Sequence, residues 1–218
     1  FFFLRWLASS GMRLIQVCHE IEKRDFDRGW WERNVTDPIL RRAYGCFVAI
    51  IFLATSVERE FFERYGDVSR RYILPHGPPL FLQGNGSSTQ DVRVRYGLNP
   101  SDRIVLFFGL LRPSKGVEDL VEAFALMGHR ENVRLLIAGY PTKSFDTAGL
   151  IRTVQTLGIA DRVSLHLDYV PDTDVRPLLQ MAEVLVLPYR NATASGPGAA
   201  AQFLRCPIVA TDVGGSGV

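Results

Sequence analysis

Ile104-Val105-Leu106-Phe107-Phe108-Gly109-Leu110-Leu111-Arg112-Pro113-Ser114-Lys115-Gly116-Val117 is the stretch whose reading decides the fold. An unbroken apolar run stopping at a glycine reads as a strand covered on both faces. The residues beyond change period. Val117, Leu120, Val121, Phe124 and Met127 recur at three and four, with Glu118 and Asp119 in the first turn, where the helix dipole favours anions. A buried strand feeding an amphipathic helix through a short loop is the opening of a parallel βα unit.

The same grammar continues downstream. Strand Val133–Ala138 closes on Gly139, and a helix carries Leu150, Ile151, Val154 and Leu157. Strand 163–167 follows, then a helix near 174–181, strand 184–187, a helix near 198–204 and strand 208–210. Upstream the pattern is weaker: strand 14–17, helix 37–44, strand 47–53, helix 57–65 and strand 72–74. Between the two parts lie Gly77-Pro78-Pro79 and Gln83-Gly84-Asn85-Gly86-Ser87-Ser88-Thr89, a run without periodicity that reads as a linker. The expected fold is α/β with two Rossmann-like domains, residues 1–84 and 85–218, each a parallel sheet flanked by helices and each incomplete.

Composition narrows the function classes. The 25 basic and 23 acidic residues are mixed along the chain and leave a net charge of +2, so no broad field draws nucleic acid and none is expected as a partner. The 3 cysteines, Cys18, Cys46 and Cys206, are too few and scattered for a disulfide framework or a metal knuckle, which fits a reducing cytoplasm. The longest apolar run, Cys46 to Ala54, is far short of the ~20 residues that cross a bilayer. Phe1-Phe2-Phe3-Leu4-Arg5-Trp6-Leu7 lacks an initiator Met and the basic opening of a signal peptide, and reads as a truncated end. Gly214-Gly215-Ser216-Gly217-Val218 reads as a chain cut within a loop.

Ligands of open parallel sheets bind beyond the carboxyl ends of the strands, so the loops there carry the chemistry. Gly109 to Gly116 holds Arg112 and Lys115 at the start of a helix, a seat for a diphosphate or a solvated basic turn. Pro188-Tyr189-Arg190-Asn191-Ala192-Thr193-Ala194-Ser195-Gly196-Pro197-Gly198 also opens a helix, either letting backbone amides approach an anion or serving as a tightly packed βα loop. His19 and Glu20 follow a strand at the expected cleft between domains, and His76 ends another; a lone histidine is as readily structural. His129 and His166 read as structural. The histidines are too dispersed for a metal site, so none is expected, and neither a Gly-x-Ser-x-Gly elbow nor a Walker loop is present.

Five segments in order, Phe108–Val117, Leu136–Gly139, Tyr169–Asp172, Val186–Arg190 and Pro207–Gly215, resemble the donor domain of family 4 (group 1) retaining glycosyltransferases of the GT-B fold. The His19 strand and Leu74-Pro75-His76-Gly77 resemble the latter half of the acceptor domain. The resemblance implies that Arg112 and Lys115, with Gly109, hold the diphosphate of a nucleotide-sugar donor, and that catalytic His19 lies near the transferred sugar. It implies nucleotide contacts around Gly139 and Val170, and retention at the anomeric carbon with no metal or other cofactor. The acceptor is a saccharide, glycolipid or small-molecule hydroxyl, so the enzyme is expected to be a hexosyltransferase of polysaccharide synthesis. It would be cytoplasmic, with room for peripheral contact at the inner membrane face. Many relatives carry two glutamates in the loop and helix before the Pro207 strand, where this chain has Ala192 and Ala200. Thr193, Ser195 and the amide of Gly196 then become the substitute donors, Thr193 toward the ribose and the other two toward the diphosphate. Two alternatives remain: a sugar-nucleotide epimerase, for which no acidic pair is well placed, and a non-catalytic homologue that binds sugar nucleotide.

Overall fold

The computed structural model describes residues 1–18, 31–67, 69–74, 77, 82, 84, 86–192 and 195–213. The chain divides into two compact units, Phe1–His76 and Gly77–Gly217.

The first unit runs α1 (Phe2–Ser9), β1 (Ile15–Cys18), a π-turn at Glu32–Thr36, α2 (Asp37–Tyr44), β2 (Ala49–Phe52), α3 (Thr55–Tyr65) and β3 (Arg70–Ile73). Strands β1, β2 and β3 are parallel, in that order across the sheet. The core gathers Cys18, Ile50, Phe52, Val57, Phe61 and Tyr65. Phe61 lies in an aromatic cluster, with its ring centroid 4.7 Å from Tyr44, 5.1 Å from Phe52 and 4.9 Å from Tyr65. Burial, helped by the charge of Glu60, pushes the Cys18 thiol up to about 11, so this cysteine packs as an apolar side chain. Helix α1 was not expected from sequence: it has no side-chain cap, and none of its residues is buried.

The second unit runs α4 (Thr89–Arg95), β4 (Arg103–Phe108), a 3₁₀ turn (Pro113–Lys115), α5 (Val117–Leu126) and β5 (Val133–Ala138). It continues with α6 (Thr147–Thr156), β6 (Val163–His166), α7 (Asp172–Met181), β7 (Ala182–Leu187), α8 (Gly196–Phe203) and β8 (Ile208–Ala210). All five strands are parallel, in the order β6-β5-β4-β7-β8. The central strands carry the core, with Ile104, Leu106, Phe107, Leu135, Leu136, Ile137 and Leu185 inaccessible to solvent. Helix α5 buries Val117, Leu120, Val121 and Phe124, the face its periodicity predicts. The strand order reverses between β4 and β7, which makes their carboxyl ends the switch point where such sheets bind ligands.

The stretch read as a linker is in part tied down. Leu82 is fully buried in the second unit's core, and Arg176 of α7 donates to its carbonyl. Gly86 lies so close to α7 that a Cβ there would meet the Thr173 carbonyl at 2.9 Å. The Ser87 amide donates to that same carbonyl at 2.8 Å. Ser88 caps α4 by accepting the Asp91 amide at 3.1 Å, and Tyr96 just beyond α4 packs its ring 4.5 Å from that of His166.

Candidate functional site

At the switch point the loop after β4 turns through the 3₁₀ step Pro113–Lys115 and reaches α5 through Gly116, whose left-handed φ of +62° suits glycine. A Cβ on Gly116 would overlap the Pro188 carbonyl, so this loop lies directly against the end of β7. The contact continues along the chain: the Arg190 amide donates to the Ser114 carbonyl at 2.9 Å, and the Arg190 guanidinium to the Pro113 carbonyl at 3.2 Å. The same guanidinium grips both carboxylate oxygens of Asp119 at 2.6 and 2.8 Å and lies 3.7 Å from Glu118. The hydrogen bond from Arg190 holds the Asp119 carboxyl below its ordinary range. The two loops singled out from sequence are thus one bonded assembly.

Within it, Arg112 is exposed and Lys115 half-buried. The Lys115 ammonium sits 3.4 Å over the ring of Tyr189, a side chain only 2% exposed. The Tyr189 hydroxyl lies 3.1 Å from the Ser195 hydroxyl, and Ser195 Oγ accepts the Gly198 amide at 3.0 Å, capping α8. Burial raises the Tyr189 phenol, with Ser195 and the Arg112 charge pulling the other way, so the hydroxyl stays protonated at neutral pH. Among the described residues, a Cβ on Gly196 would meet nothing within 4 Å, which leaves it open to them at the first turn of α8. The Gly196 amide, at a helix start beside two cations, makes an arrangement suited to an anion.

Of the residues singled out from sequence, Gly109, Arg112, Lys115, Ser195 and Gly196 lie on the β4 and β7 loops of this sheet edge. Gly109 combines a φ of +136° with a Cβ position 3.2 Å from Pro197 Cγ, and a Cβ on Gly139 would overlap the Gly109 carbonyl. Packing against a neighbouring backbone therefore demands glycine at 139, and the positive φ favours it at 109, whatever else they do. Val170 lies after β6 with its side chain in the core, which leaves only its backbone to face a ligand. Ala192 and Ala200 are buried at 8% and 2%, where a carboxylate is costly unless it finds hydrogen-bond partners. His19, Glu20, His76 and Thr193 lie outside the described residues. Tyr189 and Arg190, quoted only as parts of a motif, are what sequence reasoning missed; a large aromatic directly after a strand and before a hydroxyl-rich loop was the available signal.

Among the described residues no group of three or more His, Cys, Asp or Glu side chains could hold a metal ion. No helix among them is long and apolar enough to cross a membrane.

The family described as "Glycosyl transferases group 1" matches residues 102–218, more than half of the chain. The chain is similar to the D-inositol 3-phosphate glycosyltransferase of Segniliparus rotundus, 29% identical over 165 residues that make up 74% of this chain and 36% of that protein. It is also similar to the enzyme of that name from Nocardia farcinica, 31% identical over 72% of this chain and 36% of that protein. The chain thus spans about a third of the length of these curated relatives. Among solved structures it resembles HepE of Anabaena in complex with UDP, with a TM-score of 0.76, 18% identity and coverage of 98% of this chain and 57% of that one. It likewise resembles sucrose-phosphate synthase from Thermosynechococcus elongatus, with a TM-score of 0.73, 21% identity and coverage of 98% and 54%. At these identities the structural likeness is one of fold.

Proposed function

The chain belongs to the glycosyl transferases of group 1, and from that premise we propose that it binds a nucleoside-diphosphate sugar at the β4–β7 switch point and transfers the sugar to an acceptor hydroxyl. The observation that carries this reading is the joining of the Arg112–Lys115 loop to the open first turn of α8 through Tyr189 and Arg190. In glycosyl transfer the difficult charges are the oxocarbenium-like carbon and the departing diphosphate. The Lys115 ammonium held over Tyr189, the Arg112 charge beside it and the positive end of a helix stabilise the second. No metal has to be invoked, and retention at the anomeric carbon accords with the family resemblance. Gly139 and the backbone at Val170 are assigned to the nucleotide, Thr193 to the ribose, and His19 to the transferred sugar. The acceptor is a saccharide, glycolipid or small molecule, with polysaccharide synthesis the corresponding role.

UDP is the first ligand to try, because the Anabaena neighbour is solved with it. In calorimetry, Arg112→Ala and Lys115→Ala should each weaken UDP binding by about 1.5–3 kcal/mol, the worth of a charge-assisted hydrogen bond, with thermal stability nearly unchanged. Unaltered affinity in both variants would sink the diphosphate seat. A protein that binds the sugar nucleotide without transferring it is the second reading, favoured by the buried alanines at 192 and 200. Mass spectrometry of reactions with UDP-, GDP- and dTDP-sugars separates transfer, epimerisation and binding alone.

A further inference from the structure

We infer that Tyr189 is a positioning residue for donor binding: its ring face holds the Lys115 ammonium and its hydroxyl holds the Ser195 hydroxyl, so that one buried side chain fixes both sides of the anion seat. The inference rests on the diphosphate reading and gives Tyr189 a role of its own within that seat.

A lysine side chain is flexible, and ordering it on arrival of a phosphate subtracts from affinity. Here the ordering precedes the ligand. Lys115 Nζ lies 3.4 Å over the Tyr189 ring, close enough for the negative ring face to hold the charge. The ring cannot swing away, because Tyr189 is 2% exposed and its carbonyl accepts the Thr211 hydroxyl. An ammonium seated on a ring face keeps N–H groups pointing outward, so the ring and a phosphate can share it. At the other end of the side chain, the phenol meets Ser195 Oγ at 3.1 Å, and that oxygen accepts the Gly198 amide at 3.0 Å. Displacing the tyrosine would loosen the lysine and the α8 cap together. An aliphatic residue of similar bulk would fill the volume and hold neither.

The test replaces Tyr189 in the full chain with phenylalanine and then with mono-, di- and trifluorinated phenylalanines. These keep the shape while draining negative charge from the ring face, so folding, followed by circular dichroism, is not the variable. UDP affinity should fall stepwise along the fluorinated series, by about tenfold in all, and the series should be flat in a Lys115→Met background. A flat series with Lys115 present would overturn the inference and leave the diphosphate seat standing. So would affinity that rises with fluorination, which would mean that ring and phosphate compete for the ammonium. An equal fall in the Lys115→Met background would overturn it too, assigning the effect to packing. If Lys115→Met by itself leaves UDP affinity unchanged, the lysine does not hold the nucleotide and this inference is overturned, while the seat is judged by Arg112→Ala as well.

Discussion

Glycines at the strand ends separate two reasons for having no side chain. A Cβ on Gly139 would overlap the backbone of Gly109, whereas one on Gly196 would meet none of the described residues within 4 Å. Gly139→Ala should therefore destabilise the protein by about 2–4 kcal/mol, as forced overpacking does, visible as a lowered urea midpoint before any ligand is added. Gly196→Val should leave that midpoint within about 1 kcal/mol, since valine is at least as good as glycine in a helix, yet abolish UDP binding by filling the space above the helix start. A folded Gly196→Val protein that binds UDP normally would make the loop a packing turn and strengthen the reading of binding without transfer. The sequence shows where these glycines fall relative to the strands, because strand and helix periods bracket them. It does not show which is held by a neighbouring backbone, because that neighbour is a different strand. Tyr189 was hidden for the same reason: its partner Lys115 is supplied by the loop after β4.

Among the elements, α4 illustrates how a short helix is masked by its surroundings. The glycine and serine residues before it read as linker, and the helix, Thr89–Arg95, is too brief to establish a period. What anchors it is Asp174 of α7, fully buried, which accepts from Ser87 at 2.7 Å and from Tyr96 at 3.3 Å and pairs with Arg95. Burial alone would raise this carboxyl, but the hydrogen bonds from Arg95, Ser87 and Tyr96 outweigh it and hold the carboxyl below its ordinary value. A carboxylate whose pKa is depressed by folding contributes its stability above the unfolded value of about 3.9 and loses it as pH falls below that. Asp174→Asn should cost about 2–3 kcal/mol at pH 7, since it breaks a buried pair while the α4 guanidinium remains free to turn to water. The variant should also lose less stability than the parent between pH 7 and pH 3, as read from urea midpoints at the two values. Equal losses in both proteins would show that the carboxylate is not what ties α4 to α7. The longer βα units needed no such tertiary key: β5 spans Val133–Ala138 as expected, and the observed α5 begins at the expected Val117.

Across the whole molecule, the two units differ in how much of their own apolar surface they cover. The second has a five-stranded parallel sheet whose central strands are buried, with α5 to α8 contributing to a continuous core. Among its described residues the first has three strands and a small core, and it exposes Phe2, Phe3, Trp6, Ile15, Val17, Tyr72 and Leu74. Every residue of β3 is exposed. A unit with its own core folds independently, whereas a short sheet with uncovered faces and a free edge associates with other chains. Residues 77–218 expressed alone should therefore unfold in one cooperative transition and bind UDP with the affinity of the whole chain, because Arg112, Lys115, Tyr189, Ser195 and Gly196 all lie within them. Residues 1–76 alone should bind a dye for exposed apolar surface and sediment as aggregates. Cooperative unfolding of a monomeric 1–76 piece would show that its small core suffices. If 77–218 is folded but binds UDP much more weakly than the whole chain, residues of the first unit must take part in holding the nucleotide, and the seat described here would be only part of the donor site.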